Sequence, residues 1–223
     1  MYKTKRSKQC GQNKWGDKVD MFLSLRAEKQ QHIINAALNV FGKNGYKKAS
    51  VADIAAEAGI AKGMINYYFG SKKNLYLYLA ELCFKSLSGE MEKRFDGNVT
   101  DFFDKMKMST TVKVSMIKEH PAILLFLASV YMEKDEDVAG DIATFMAEGM
   151  KFRERWLHGG VDESKFKDDI DPKLLDKFLL WAGEGFVNSL KNGLNIDEIE
   201  AMTKELFEFL DLMKKYFYKN EYL

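Results

Sequence analysis

Apolar positions recur at helical spacing along most of the chain, and the pattern is most informative between residues 50 and 73. A stripe at i, i+3, i+4 and i+7 predicts a short helix there; its members are Val51, Ile54, Ala55 and Ala58. Ser50 occupies the N-cap position, and Asp53 favours the positive start of the helix. Gly59 follows the last apolar position, where the left-handed conformation is easiest for glycine. A second helix begins at Ala61 or Lys62, so the stretch predicts a helix-turn-helix.

The second helix of this pair has one apolar face and one unusual outward face. The inward face consists of Ile65, Tyr68 and Phe69. The outward face carries Gly63 and Tyr67, flanked by Met64 and Asn66. Glycine lets a backbone approach a groove wall, an amide can pair with a base edge, and a hydroxyl can reach a phosphate. With Lys62 and Lys72 at its two ends, this face favours DNA contact; a merely solvated helix is the alternative.

The other apolar stripes predict seven further helices and no β-hairpin. One helix covers residues 25–43 with Ser24 as its N-cap, and another is capped by Ser71 and continues to about residue 95. The remaining five are predicted over residues 99–119, 121–134, 136–158, 172–192 and 196–218. Pro121 and Pro172 suit a first helical turn, where a missing N–H costs nothing. Asn-Gly or Asp-Gly pairs at 44–45, 96–97 and 192–193 follow helical stripes and are interpreted as helix ends, and residues 159–171 as a polar loop with a short turn near 164–167.

Charge divides the chain into a basic N-terminal part and an acidic remainder, although the net charge is only +1. Residues 1–80 contain 14 Lys and Arg against 5 Asp and Glu, whereas residues 81–223 contain 20 against 28. The basic part would attract a polyanion, and it coincides with the helix-turn-helix. Residues 1–23 form a basic leader, interpreted as flexible; a basic arm for the DNA minor groove, pinned by Trp15, is the alternative.

Several functional classes find no support in the composition. Cys10 and Cys83 lack CxxC spacing and indicate reduced thiols. No apolar run approaches the roughly 18 residues of a membrane span, so we expect no membrane contact. His32, His120 and His158 are scattered, and no metal spacing, nucleophile grouping or phosphate-binding loop accompanies them. We therefore expect no enzyme activity, no cofactor and no metal.

A series of residue types recurs in a characteristic order between Ile33 and Tyr76. In chain order they are Phe41, Gly45-Tyr46, Ile54-Ala55, Ala58-Gly59, Lys62-Gly63, Tyr67-Tyr68-Phe69, Ser71-Lys72 and Leu75. With these features the segment, about a fifth of the chain, resembles the N-terminal domain of the TetR family of bacterial transcriptional regulators. The remainder is similar to that family only in its helical layout and length.

The resemblance implies an all-α fold with two domains behind the leader. Residues 24–71 would form the three-helix, helix-turn-helix DNA-binding domain, and residues 72–223 a larger helical domain for effector binding and dimerisation. It implies phosphate contacts from Ser50, Tyr67, Tyr68 and Lys72, and base-edge contacts from Lys62, Gly63 and Asn66. It also implies a bacterial, cytoplasmic protein that associates with the nucleoid when bound to DNA.

Three positions depart from the family pattern. Ala61 stands where a capping serine is frequent, so the recognition helix lacks that cap. Asn66 replaces a frequent tyrosine, which implies a different operator. Ala52 has no long side chain where some members contact a base, so the first helix of the pair contributes little specificity.

The last two predicted helices carry more apolar surface than one face requires. In residues 172–192 one stripe contains Leu175, Phe178, Leu179, Ala182, Phe186 and Leu190, and a second contains Leu174, Trp181, Gly185 and Asn188. Residues 196–218 carry a long stripe that ends at Phe217. Two such helices could pack against their copies as a four-helix bundle, which predicts a homodimer; completion of a monomeric core is the alternative.

The middle helices are rich in methionine and aromatic residues, which suits either a core or an apolar cavity. The candidate pocket residues are Phe103, Met106, Phe126, Met146, Trp156 and Trp181. Glu148 or Glu184 could orient a cation in such a cavity. The family resemblance implies a small apolar or amphipathic effector there.

These features together predict a ligand-responsive regulator, most simply a repressor released from double-stranded operator DNA by its effector. The alternative is a DNA-binding architectural or cell-cycle protein without an effector. A tightly filled core would favour the alternative, and an open apolar cavity would favour the regulator.

Overall fold

The computed structural model describes residues 15–94, 98–189 and 196–223, and ten α-helices account for most of them. They are α1 (Asp17–Leu23), α2 (Ala27–Lys48), α3 (Val51–Glu57), α4 (Lys62–Phe69), α5 (Lys72–Lys93), α6 (Phe102–Glu119), α7 (Pro121–Met132), α8 (Glu136–His158), α9 (Pro172–Ser189) and α10 (Ile196–Phe217). Two single 3₁₀ turns, Glu163–Lys165 and Asn220–Tyr222, complete the regular structure. In these three ranges the only β-type pairing is an isolated bridge between Phe166 and Tyr218. The predicted all-α class is confirmed.

The bounds of the predicted helices agree with the apolar periodicity to within a few residues. Helix α8 spans residues 136–158 as predicted, and α7 and α9 begin at Pro121 and Pro172. Gly45 interrupts α2 with φ 67° and ψ 177°, so the helix kinks where its end was predicted. The short turn in the polar loop is the 3₁₀ turn Glu163–Lys165. The glycines predicted to end helices at 97 and 193 lie outside the described residues.

Helix α1 corrects the prediction for the leader. Residues 17–23 were assigned to a flexible segment, yet they form a helix that buries Val19 and Phe22. The sequence pattern that indicates α1 is short, because only these two apolar positions show helical spacing. The prediction that Ser24 is the N-cap of α2 is wrong, because Arg26 occupies that position. The Ser24 hydroxyl instead donates to the Met21 carbonyl at 2.7 Å, at the C-terminal end of α1. Residues 1–14 lie outside the described ranges.

The chain divides into two compact units, neither of which is continuous in sequence. One unit comprises Met1–Gly89 and Glu119–Met150, and the other comprises Glu90–Lys118 and Lys151–Leu223. The first unit therefore joins the helix-turn-helix to α7 and the first part of α8. The functional boundary proposed after residue 71 remains a prediction, because it separates roles rather than packing.

The core of the first unit is an aromatic cluster between α2, α5 and α7. The Tyr76 ring lies 5.0 Å from that of Phe41, 5.1 Å from that of Tyr46 and 5.3 Å from that of Phe126, measured between centroids. Tyr76, Phe41 and Phe126 have no exposed surface. Aromatic pairs at such distances add stability beyond area burial, so α7 is bound firmly to the DNA-binding helices.

A glycine makes the close crossing of α2 and α7 possible. A Cβ atom at Gly42 would lie 3.0 Å from the Leu125 Cβ and 3.1 Å from the backbone nitrogen of Phe126. Backbone atoms cannot yield as a flexible side chain can. Any side chain at position 42 must therefore push α7 away from α2.

We expect Gly42→Val to lower the free energy of unfolding by about 1–3 kcal/mol, the usual cost of overpacking. Urea denaturation followed by circular dichroism measures the loss. The matched control is Gly140→Val, because Gly140 is an exposed glycine of α8 with no atom within 4 Å of an added Cβ. Equal stability of the two variants would show that the crossing is not tight.

The core of the second unit lies around the start of α6 and the C-terminal end of α10. Phe102, Phe103, Phe166 and Tyr218 are buried, and the rings of Phe166 and Tyr218 are 4.7 Å apart. The Phe102 N–H donates to the Tyr218 hydroxyl at 3.1 Å. This bond satisfies one of the free N–H groups at the start of α6 and fixes the chain beyond α10.

Among the described residues, no single helix is both long enough and apolar enough to cross a membrane. The successive helices α6 and α7 reach that length and composition only when they are taken together.

Candidate nucleic-acid interface

The first helix of the helix-turn-helix is capped as its sequence predicts. The Ser50 hydroxyl accepts a hydrogen bond from the Asp53 N–H at 3.0 Å. The inward side chains Ile54 and Ala55 are buried, with 0% and 1% of their surface exposed. The capped helix α3 therefore packs against α4 and supports it.

The turn and the start of α4 also match the prediction. Gly59 has φ 64°, and the Ile60 N–H donates to the Ala55 carbonyl at 3.0 Å, which closes the turn. Ala61 is the N-cap of α4 and offers no side-chain hydrogen bond. The missing cap costs about 1 kcal/mol relative to serine. A short helix with a weak start depends on tertiary packing for its order.

Helix α4 separates its residues into a buried face and a free face. Ile65, Tyr68 and Phe69 are buried, whereas Lys62, Gly63, Asn66 and Tyr67 are exposed. Tyr67 exposes 51% of its surface, although it is a large aromatic residue. An added Cβ at Gly63 would meet nothing within 4 Å. The free face therefore presents an amide, a phenol, an ammonium group and bare backbone, the chemistry that reads a DNA groove.

Tyr68 is buried, unlike its neighbour Tyr67. Only 4% of its surface is exposed, and its ring lies 6.0 Å from that of Phe22 in α1. The buried ring supports the recognition helix from inside, and the phosphate contact that the family resemblance implies for Tyr68 remains a prediction. Helix α1 also places Phe22 4.9 Å from Phe69 and so covers the back of α4.

Lys72 performs a structural task as well as supplying charge. Its ammonium donates to the carbonyls of Tyr46 at 2.9 Å and Ala49 at 3.3 Å, and lies 4.3 Å from the centre of the Tyr46 ring. It thereby satisfies carbonyls at the C-terminal end of α2, where a cation is favourable. The predicted phosphate contact of Lys72 would be made by a side chain already held in place.

An acidic corner between α7 and α8, formed by Glu133, Asp137 and Asp141, holds the end of α2. The Tyr46 N–H donates to the Glu133 carboxylate at 2.8 Å, and the Tyr46 hydroxyl donates to Asp137. Burial and this bond raise the pKa of Tyr46 above its ordinary value. Lys73 pairs with Asp141 at 2.9 Å, a contact that raises the pKa of the lysine. Sequence reasoning missed this corner, because contacts between distant segments leave no local pattern.

The six predicted pocket residues fall into both units. Phe126 and Met146 belong to the first unit, and Phe103, Met106, Trp156 and Trp181 to the second. Phe103, Phe126 and Trp156 are buried; the Phe103 ring packs 5.2 Å from that of Tyr218, and the Trp156 indole donates to the Met91 carbonyl at 3.2 Å. Trp181 is 54% exposed and lies on the outer face of α9. Trp181 thus belongs with surface residues of the second unit rather than with a closed lining.

Glu154, His158 and Asp176 form the one group within the described ranges whose donor atoms converge as metal ligands would, within 4.8 Å of one another. Arg153 pairs with both carboxylate oxygens of Asp176, and His158 lies 3.1 Å from one of them. Burial alone would raise the pKa of Asp176, but the bonds from His158 and Arg153 hold it below the ordinary value. A guanidinium already occupies the carboxylate, so the arrangement is an ion-pair network.

The fold and the exposed face of α4 define a helix-turn-helix DNA-binding protein. Comparisons with known proteins identify the family to which it belongs. A family model described as bacterial regulatory proteins, tetR family, matches residues 33–79. The chain is 32% identical over 191 residues to the fatty acid metabolism regulator protein of Bacillus subtilis, covering 84% of this chain and 96% of that protein. The chain belongs to the TetR family and is a DNA-binding transcriptional regulator rather than an enzyme.

Two solved structures share the fold. One is a TetR family transcriptional regulator from Chloroflexus aurantiacus, with a TM-score of 0.70 at 20% identity. The superposition covers 90% of this chain and 98% of that one. The other is the regulator FadR from Bacillus subtilis in complex with stearoyl-CoA, with a TM-score of 0.60 at 18% identity. The superposition covers 81% of this chain and 96% of that one. Both likenesses extend beyond the helix-turn-helix, so the C-terminal helices share the family layout.

Proposed function

We propose that this protein is a dimeric repressor that a small amphipathic effector releases from its operator. The observation that carries the proposal is the free face of α4, where Lys62, Gly63, Asn66 and Tyr67 are exposed above a buried apolar face. Phosphate contacts from Ser50, Tyr67 and Lys72 would orient the helix, and Gly63 and Asn66 would read base edges.

A second copy of the chain is the partner that we propose for the outer faces of α9 and α10. Three large apolar residues of α9 are largely exposed: Leu174 at 61%, Phe178 at 54% and Trp181 at 54%. Helix α10 exposes Phe209, Leu212 and Tyr216 in the same way. Other positions of the same helices, Leu175, Leu179 and Leu210, are already buried within the protomer, so completion of a monomeric core does not account for the exposed ones. Apolar patches of this kind mark interfaces, and a twofold dimer would present two recognition helices about 34 Å apart.

The effector proposal rests on the relatives and on the soft residues of the second unit. The Bacillus subtilis relative is named for fatty acid metabolism, and one structural neighbour binds stearoyl-CoA. In this chain Met106 and its neighbours on α6 are half-buried. We propose an effector with an apolar chain, bound among the helices of the second unit, that favours a state with weaker operator affinity. A coupling of roughly 1–3 kcal/mol is usual for such linkage.

The test is binding to DNA upstream of the protein's own gene, measured by fluorescence anisotropy over a salt series. We expect selective binding over scrambled DNA, and we expect Asn66→Ala to lower specific affinity about tenfold or more, since a bidentate base contact contributes roughly 1–3 kcal/mol. Non-specific binding and its salt slope should not change in the variant. Binding without selectivity at every upstream fragment would contradict the proposal and favour an architectural role.

A further inference from the structure

Helix α1 is fixed against α4 and α5 by aromatic contacts at both of its ends. Near its C-terminal end, Phe22 is fully buried and packs against Tyr68 and Phe69 of α4. Immediately before the helix, the Trp15 ring lies 6.1 Å from that of Tyr78 on α5. Aromatic pairs of this kind add stability beyond area burial. The polar residues of α1 are therefore held at defined places beside the recognition helix.

Lys18 lies on the side of α1 that is turned toward α4. At about 100° per residue, Lys18 is about 40° around the helix from the buried Phe22. Asp17 and Asp20 are about 140° and 160° from the same residue, so the two carboxylates lie on the other side of the helix. The Lys18 Nζ and Cδ atoms each lie 3.7 Å from the position that a Cβ atom at Gly70 would occupy. Gly70 is the C-cap of α4, so the Lys18 ammonium lies at the C-terminal end of the recognition helix.

The charge of Lys18 is available to an external anion. The side chain is exposed, and it forms no hydrogen bond or ion pair with any residue in the ranges 15–94, 98–189 and 196–223. Lys72, which begins α5 just beyond Gly70, instead donates to main-chain carbonyls and lies over the Tyr46 ring. Exposed lysines without a partner are common on protein surfaces. The location of Lys18 therefore decides what its charge can do.

The C-terminal end of α4 is the end that DNA geometry brings to the phosphates. A recognition helix contacts base edges with its N-terminal residues, and Gly63 and Asn66 are exposed on that part of α4. Gly70 follows Gly63 by about 10 Å along the helix, close to the ~12 Å width of the major groove. A helix end at that distance lies near the groove wall, which the phosphates form. The exposed Tyr67, for which the family resemblance implies a phosphate contact, lies on the last turn of the same helix.

We propose that Lys18 contacts a DNA phosphate at the edge of the major groove that α4 enters, which makes α1 a part of the DNA-binding surface. The inference rests on the proposed function and deepens it by adding a phosphate contact from outside the helix-turn-helix. The partner is the phosphodiester backbone and not a base, so Lys18 contributes affinity without sequence selectivity. The family model matches residues 33–79, so this contact of α1 does not follow from that match.

The experiment measures how DNA binding depends on salt, because each phosphate that a lysine neutralises adds about 0.9 to the slope of log affinity against log salt. Fluorescence anisotropy follows two labelled duplexes of equal length, one of random sequence and one from upstream of the protein's own gene. Lys18→Gln should reduce the slope by about 0.9 for each bound subunit. Binding to both duplexes should weaken by a similar factor, about tenfold for two subunits at low salt, and selectivity should not change.

Two further variants serve as controls. Lys18→Arg should keep the wild-type slope, because it preserves the positive charge. Lys85→Gln also removes one positive charge, from an exposed lysine of α5 in the same compact unit. Lys85 lies about 20 Å along α5 from Lys72, beyond the screening length of about 10 Å, so this variant should keep the wild-type slope.

Thermal melts followed by circular dichroism on the same samples separate a phosphate contact from a structural role. A cation beside the C-terminal end of α4 also interacts favourably with the helix dipole. If that were its only role, Lys18→Gln would melt at a lower temperature and keep the wild-type slope. A wild-type slope in Lys18→Gln would overturn the proposal, and so would an equal loss of slope in Lys85→Gln. A reduced slope on the random duplex, with no upstream fragment bound selectively, would confirm the phosphate contact while refuting the proposed operator-specific repressor.

Discussion

Gly63→Leu should abolish specific operator binding while leaving the protein folded. Gly63 lies on the free face of α4, and an added Cβ meets nothing within 4 Å. Leucine is a better helix former than glycine by up to about 1 kcal/mol, so the variant should be at least as stable as the wild type. In the complex, four extra carbon atoms would stand between the helix backbone and the groove wall. We expect affinity for the operator to fall at least a hundredfold, about 2.7 kcal/mol.

Anisotropy titrations and thermal melts on the same samples measure both effects. Gly140→Leu is the matched control, because Gly140 is also an exposed, unobstructed helical glycine but lies on α8. It should gain stability and keep wild-type operator affinity. Wild-type affinity in Gly63→Leu would show that this face of α4 does not enter the groove.

The second large effect is expected at the outer face of α9. Phe178→Glu should convert the proposed dimer to a monomer, because it places a charge in a patch that also contains the exposed Leu174 and Trp181. A charge left without a partner in an apolar interface is strongly destabilising. Each monomer would hold one half-site only, so operator affinity should fall at least a hundredfold at nanomolar protein.

Sedimentation velocity gives the mass, and anisotropy gives the affinity. Lys204→Glu, a change at an exposed lysine of α10 that also introduces a carboxylate, serves as the control and should stay dimeric. Should Phe178→Glu retain the wild-type mass and affinity, the outer faces of α9 and α10 would not be the dimer interface.

Local patterns predicted most of the helix-turn-helix, because its determinants lie within a few residues of one another. The Ser50 cap, the positive φ of Gly59 and the two faces of α4 each depend on neighbours in sequence. The same reasoning predicted the cap at Ser71, whose hydroxyl accepts from the Asn74 N–H at 3.1 Å. Steric and hydrogen-bonding preferences between residues a few positions apart can be recognised in a single sequence.

Contacts between distant segments could not be predicted in this way. Tyr46 hydrogen-bonds Glu133 and Asp137, about ninety positions away, and nothing near Tyr46 in the sequence indicates these partners. Helix α1 offered only Val19 and Phe22 as a signal, too few for a periodic stripe.

The pairing of Tyr46 with the acidic corner bears on how such regulators can be recombined. A chimera that joins residues 1–71 to a foreign effector domain leaves Glu133 and Asp137 behind, together with the ring of Phe126. The Tyr46 N–H and the end of α2 would then lose these partners and contact unrelated residues of the foreign domain. The transplantable DNA-binding head is a discontinuous module of two segments, and an exchange of operator specificity should carry residues 119–150 along with the N-terminal helices.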